Sequence, residues 1–436
     1  MKNRISLLIN LSIPLLIAGI FYIPALFPIC LVIIFTKMIT TDRDTLGIFL
    51  LMYGGSLSGI TRSYYPFIPV YGLIFNFIGL WLLKDWLIEL FQKRSSSIIY
   101  MLFIIAVFGG SYLMAEHTPL ANNKIVGIIQ HGLMIIPAYY VISSSKKLSN
   151  NDLFQLLILT SIAYVAFTMA QYNISATTFY DFNWFRSSSE AYAYFEQESM
   201  LVSYQGVGMS ALYGYTFLLA SKDISSNKKL LLYASIISFY IIMLSGARQA
   251  ILGFLIVVFL RYALFNKAAS FKKVMYLLPA VLLTYFIFSF IINLGSESVN
   301  RTVESGIGDR ELLYLESIRL FTENPVFGVG LGGFATRNAL GSVWSHNMIL
   351  EILCETGLVG SILLLIIVFS YWRRNKISLF YITPNGNYYF LILAALLIRV
   401  MVSGDLTLSI EVFGALVGVN IVKNTNNSDL CTTIQS

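Results

Sequence analysis

A histidine and an asparagine, His346 and Asn347, stand immediately before an apolar run that continues to Tyr371, and the run itself carries Glu351 and Glu355. Asn347, Glu351 and Glu355 recur at i, i+4 and i+8. On a helix they form one polar stripe, with His346 beside its start. An imidazole ionising near about 6.5 can exchange a proton at neutral pH. Two readings compete for it. A lone histidine is commonly a satisfied polar residue, but this one closes a long loop and adjoins a carboxylate stripe, which favours chemistry.

Other residues suited to chemistry are mostly arginines. In "MLSGARQAILGF", Arg248 lies at a boundary between two apolar runs. Burying a guanidinium is costly, so such a residue is a functional candidate, with a snorkelling surface arginine as the alternative. Arg310 opens a mixed apolar and charged stretch for which Asp309 is the predicted N-cap, and Asn324-Pro325 ends it. Glycines 328, 330, 332 and 333 follow. They could bring backbone amides close to an anion, or form a flexible hinge. They are not a dinucleotide fingerprint, because no strand precedes them. No His, Cys and carboxylate cluster has metal-ligand spacing, so no metal or other cofactor is expected. Positive charge for a phosphorylated substrate must then come from arginines: Arg186, Arg248, Arg301, Arg310, Arg319, Arg337 and Arg399. Arg186 lies in an aromatic-rich stretch that could stack on sugars or form an interfacial belt.

Composition says what must position these residues. The 436-residue chain is 57% hydrophobic and 12% charged, with a mean hydropathy of +0.74, whereas soluble domains carry about 25% charged residues. It reads as one all-α, polytopic membrane domain over 1–436. About 14 apolar segments are predicted, near 5–21, 22–37, 45–60, 66–83, 98–115, 125–142, 153–171, 201–220, 230–245, 248–265, 273–294, 347–371, 386–403 and 408–422. The first reads as an uncleaved helix, since no small-x-small cleavage site follows it. The three cysteines have no disulfide or zinc spacing. With both termini in the cytoplasm, most of the 29 Lys and Arg fall in inner loops, as the positive-inside rule expects. The net charge of +7 thus reports topology, and no nucleic-acid partner is implied. The two longest loops, 172–200 and 295–345, face outward, and long loops carry function.

"SGARQAIL", "GDRELLYLESIRLFTENPVFGVGLGGF" and "SHNMILEILCETGLVG", in that order, resemble the O-antigen ligase/polymerase (Wzy/WaaL-like) superfamily over roughly 200–405. The resemblance implies a GT-C-like integral inner-membrane glycosyltransferase with a long periplasmic loop and a periplasmic active site. It implies an undecaprenyl-diphosphate-linked oligosaccharide donor, used without nucleotide sugar or metal. Its boundary Arg corresponds to Arg248, its loop-helix Arg to Arg310 and its His to His346, the three expected catalytic residues. Arg186, Asn347, Glu351, Glu355 and Arg399 are expected to contact substrate. Glu351 and Glu355 could also orient His346 or replace it as base. Membrane lipid and other polysaccharide export and chain-length proteins are the further expected partners.

Polymerase and ligase share these motifs, because both perform the same bond exchange. The count of about 14 segments favours the polymerase. A lipid-linked oligosaccharide transporter is the rival of another class. Against it, no paired inverted halves with broken helices are evident, and polar residues gather at one face.

Overall fold

A computed structural model describes residues 26–64, 71–92, 97–144, 150–171, 204–219, 228–245, 247–265, 308–380, 389–402 and 410–418, with a few further residues near 15–23 and at 406. Most of the expected first helix at 5–21, the segment at 273–294, the loop at 172–200 with Arg186, the first part of the 295–345 loop and both termini lie outside the described residues. Among the described residues all regular structure is helical.

In chain order the helices are α1 (Leu26–Thr41), α2 (Arg43–Tyr64), α3 (Tyr71–Leu82), α4 (Lys84–Gln92), α5 (Ser97–Leu113), α6 (Pro119–Ile128), α7 (Ile136–Ser144), α8 (Asn150–Gln171), α9 (Tyr204–Leu219), α10 (Lys228–Ser245), α11 (Arg248–Phe265), α12 (Gly308–Glu323), α13 (Gly333–Arg337), α14 (Met348–Phe380) and α15 (Tyr389–Val402). A π-helical turn, Ile129–Leu133, joins α6 to α7. Helix α11 has the bounds its apolar run predicts. Helix α12 starts one residue before the predicted cap, so Asp309 sits in its first turn.

The chain forms two units, one of residues 1–85, 145–261 and 387–395, the other of 86–144, 262–386 and 396–436. In the first, α2 lies along α3. A Cβ at Gly79 would meet Leu51 Cγ at 2.8 Å and the Gly47 carbonyl at 3.0 Å. Small residues allow apolar helices this approach. Helix α9 presses on the turn that starts α11: a Cβ at Gly208 would meet Ser245 Oγ at 2.6 Å. That contact seats the turn from which Arg248 begins α11.

Outward faces are apolar at helical spacing. Leu232, Tyr233, Ile236 and Ile237 are exposed on α10, and Leu358, Ile362, Leu365 and Phe369 on α14. Continuous stripes of this kind belong against lipid. Two described stretches, Pro119–Ile142 and Met348–Ser370, are long and apolar enough to cross a membrane; seven shorter apolar helices accompany them. The full set of about 14 spans is not resolved by the described residues.

The second unit is organised by a break in α14. Gly357 has φ 64° and ψ −164°, so the helical ladder stops there. Residues 325–330, which follow α12, fill the gap. The amides of Val329 and Gly330 donate to the carbonyls of Cys354 and Glu355 at 2.8 and 3.2 Å. The amides of Leu358 and Val359 donate to the carbonyls of Pro325 and Val326 at 2.9 and 3.1 Å. Both sides of the break are thereby satisfied, as an apolar surrounding requires. Leu313 and Leu320 of α12 pack with Val329, Phe334 and Cys354 beneath this splice. The glycines here are neither hinge nor anion cradle. Gly328 has φ 73°, and a Cβ on it would meet the Cys354 carbonyl oxygen at 2.5 Å.

Gly328→Ala should therefore lower stability by about 2–5 kcal/mol, the sum of a left-handed backbone cost and overpacking. Gly341 has φ 67° but nothing within 4 Å of its notional Cβ. Gly341→Ala should cost only about 1–2 kcal/mol. Thermal unfolding of the two detergent-solubilised variants would check the contrast; equal losses would count against the splice.

Candidate functional site

Asn347 ends the 338–347 loop and caps α14. Its Oδ1 accepts from the amides of Ile349 and Leu350 at 3.0 and 3.2 Å. Ser345 Oγ receives the Asn347 amide at 3.3 Å and donates to the Asn347 carbonyl at 2.9 Å. Between these two residues His346 is held at φ 58°, the one described non-glycine residue with positive φ. A left-handed histidine costs energy that its surroundings must offset, and such outliers concentrate at functional sites. Its side chain is half-buried.

Directly inward lies a cluster of charges. Lys124 Nζ, from α6, donates to Glu351 Oε1 and Glu355 Oε1, each at 2.6 Å. The three side chains are 1, 0 and 0% exposed. Glu351 Oε2 lies 3.3 Å from Ser345 Oγ, so the cluster reaches the turn that holds His346. Lys124 Nζ also sits 5.6 Å from the centroid of the Trp344 ring, a cation–π distance. Glu351 lies in the first turn of α14, where the helix dipole favours a carboxylate. Ser111 Oγ donates to the Glu355 carbonyl at 2.8 Å, which locks the helix just before its break. Glu355 Oε2 is buried and has no hydrogen-bond partner among the described residues.

Asn347, Glu351, Glu355 and His346 are thus brought into one assembly, and the two carboxylates share Lys124 as their cation. Sequence reading missed Lys124. It falls at the edge of a predicted apolar run, and its partners lie 227 and 231 positions away. The available signal was two carboxylates inside an apolar helix, which require a buried cation.

The other expected residues are placed differently. Arg310 lies in the first turn of α12, half-buried, in the same unit as His346. Arg248 is the first residue of α11, in the other unit. Arg399 Nη1 is 3.7 Å from Glu411 Oε2, and Tyr139 Oη donates to Glu411 Oε1 at 2.8 Å. Arg319 grips Glu316 through Nε and Nη2 at 2.9 and 2.7 Å and Glu323 through Nη1 at 2.5 Å. Glu316 Oε1 also accepts the Ala339 amide at 2.9 Å, tying α12 to the start of the 338–347 loop.

Breaking a buried ion cluster on one side leaves uncompensated charge. Lys124→Met alone should cost about 3–5 kcal/mol, whereas Lys124→Met with Glu351→Gln and Glu355→Gln should fall within about 1–2 kcal/mol of wild type. Thermal unfolding compares them, and equal losses would contradict the ion-cluster account. The loop tether gives a pH expectation. The Arg319 guanidinium bound to Glu316 holds that carboxyl below its ordinary value, with the Ala339 amide assisting. A depressed folded pKa contributes stability that is complete above the unfolded value, about 4.3, and is lost as pH falls through the folded one. Proteolysis within 338–342 should therefore be flat above about pH 5 and accelerate only well into the acid range. Glu316→Gln should be cut faster at pH 7 and lose that acid dependence.

No curated protein and no solved structure gives a match to the chain. One family model, described as O-Antigen ligase (Wzy_C), matches residues 233–365. That stretch is under a third of the 436 residues, and it holds Arg248, Arg310, His346, Asn347, Glu351 and Glu355. Across residues 233–365 the chain is similar to the O-antigen ligase family.

Proposed function

We propose that the protein is an O-antigen or related surface-polysaccharide polymerase, joining undecaprenyl-diphosphate-linked repeat units at the periplasmic face of the inner membrane. The observation that carries this reading is His346, half-buried and held in a strained left-handed turn at the head of an apolar helix. It stands where a membrane-anchored donor would meet an acceptor from the water side. The family match over the same residues supports the chemistry.

The anomeric carbon loses its bond to the lipid diphosphate, and the electron pair leaves with the phosphate oxygen. The diphosphate is acidic enough to depart unprotonated. Arg248 and Arg310 neutralise its growing charge, with Arg186 and Arg399 as further contacts along the glycan. The acceptor hydroxyl attacks from the opposite face, inverts the centre and gives its proton to His346. Glu351 and Glu355, bound to Lys124, act behind the histidine, and Asn347 fixes the turn beside it. Chain-length and export proteins are the partners that such a polymerase works with.

A second reading is favoured by the description of the matched family: a ligase passing the same donor to lipid A-core. Gene deletion separates the two. Loss of a polymerase leaves core capped by one repeat unit on a lipopolysaccharide gel; loss of a ligase leaves bare core with polymer on undecaprenyl diphosphate. The single-repeat outcome is expected, restored to a ladder by wild type and not by His346→Ala. An unchanged ladder would reject both. With purified donor, Arg248→Ala should abolish transfer, and Arg248→Lys should fail too if contact to the phosphate is bidentate. Transfer should survive EDTA, since arginines carry the countercharge; strict dependence on added Mg²⁺ would overturn that mechanism.

A further inference from the structure

Three buried ionisable groups at the head of α14 serve no purpose that helix packing alone requires. An apolar set of the same volume would hold α6 against α14 as well or better, because desolvating an ammonium and two carboxylates consumes most of what their attraction returns. Their arrangement is directional. Lys124 sits on a separate helix and draws both carboxylates through their Oε1 atoms at 2.6 Å. Glu351 turns its other oxygen toward Ser345 Oγ at 3.3 Å. Ser345 Oγ in turn grips the backbone of Asn347 on both its amide and its carbonyl. The single residue bridged by that grip is His346, at φ 58°. On its way to the carboxylates the same ammonium sits against the ring of Trp344, two residues before His346. The Trp344 carbonyl accepts from Ser342 Oγ at 2.9 Å, so the loop segment leading to the histidine is held as well.

We infer that Lys124, through Glu351 and Ser345, is a positioning residue for His346: the buried cluster stabilises the left-handed turn that presents the imidazole. This rests on the proposed glycosyl transfer for its consequence and on the geometry alone for its cause. Groups that orient a reacting side chain without touching substrate are worth between about tenfold and a hundredfold when removed. Their loss appears in turnover, because the donor still binds through the arginines.

Two variants test this, each measured on the full-length protein in detergent or nanodiscs. Ser345→Ala cuts the link and leaves the ion cluster whole. Lys124→Met with Glu351→Gln and Glu355→Gln removes all three charges together and leaves none uncompensated. Both should lower kcat by between about tenfold and a hundredfold, with KM for the lipid-linked donor within about threefold of wild type. Carbethoxylation of His346 by diethyl pyrocarbonate, read on its own peptide by mass spectrometry, should change rate in both variants. Wild-type kcat in Ser345→Ala, or a loss confined to KM, would overturn the inference. If the triple variant does not fold, Ser345→Ala decides alone. Absence of any transfer by wild type would instead refute the proposed function. The carbethoxylation rates then still decide the positioning role, and an unchanged His346 rate in Ser345→Ala refutes it.

Discussion

A backbone that leaves its helical ladder inside an apolar layer must find every lost hydrogen bond again, or forfeit several kilocalories for each group. At Gly357 that debt is met by one neighbour. Residues 325–330 offer two amides to the carbonyls of Cys354 and Glu355 and two carbonyls to the amides of Leu358 and Val359. The pairing works in a single register. It therefore sets how far α14 has advanced when it reaches Glu355, and so where Glu351 and Glu355 stand relative to α6. Ser111, donating to the Glu355 carbonyl, reinforces the same register from α5. The ion cluster and the turn at His346 are built on that alignment.

Much of this architecture is legible without coordinates. Apolar runs gave most of the described helices but not α4, because a segment bathed in lipid on one side and packed on the other has few alternatives to hydrogen bonding itself. Asn324-Pro325 marked the end of α12, and the i, i+4, i+8 spacing placed Asn347, Glu351 and Glu355 on one face. The arrangement around them was not legible. Glycines 328, 330, 332 and 333 read as either an anion-binding loop or a hinge, since a run of small residues looks the same whether it cradles an anion, flexes or slides under another backbone. Gly357 sits in "ETGLVG", where small residues are ordinary in a packed membrane helix. Its positive φ follows from the intruding segment, a tertiary fact.

Lys124 illustrates the same limit for charge. Its run, "PLANNKIVGI", is a moderately polar start to an apolar stretch, and no local spacing links it to α14. Only the demand for neutrality reaches so far along the chain. Two carboxylates within an apolar helix need a cation, and counting the candidates on other helices would have brought Lys124 to notice. The arginines expected on the outer side show the converse: Arg319 and Arg337 are plausible phosphate contacts by sequence position, yet the first is paired with Glu316 and Glu323 and the second faces Glu116 at 3.5 Å.

The π-helical turn at Ile129–Leu133 lies between two buried polar anchors on one continuous stretch, Lys124 before it and Tyr139 after it. A π turn accommodates one residue more than the α-helix it interrupts, and each residue rotates a helix by roughly 100°. The extra residue therefore acts as a phase shifter. It lets Lys124 address the carboxylates of α14 while Tyr139 addresses Glu411, two partners that an uninterrupted helix of the same length would meet out of step. In this stretch a single-residue deletion is a larger change than most substitutions. Every other side chain survives it, but one of the two anchors must turn away from its partner.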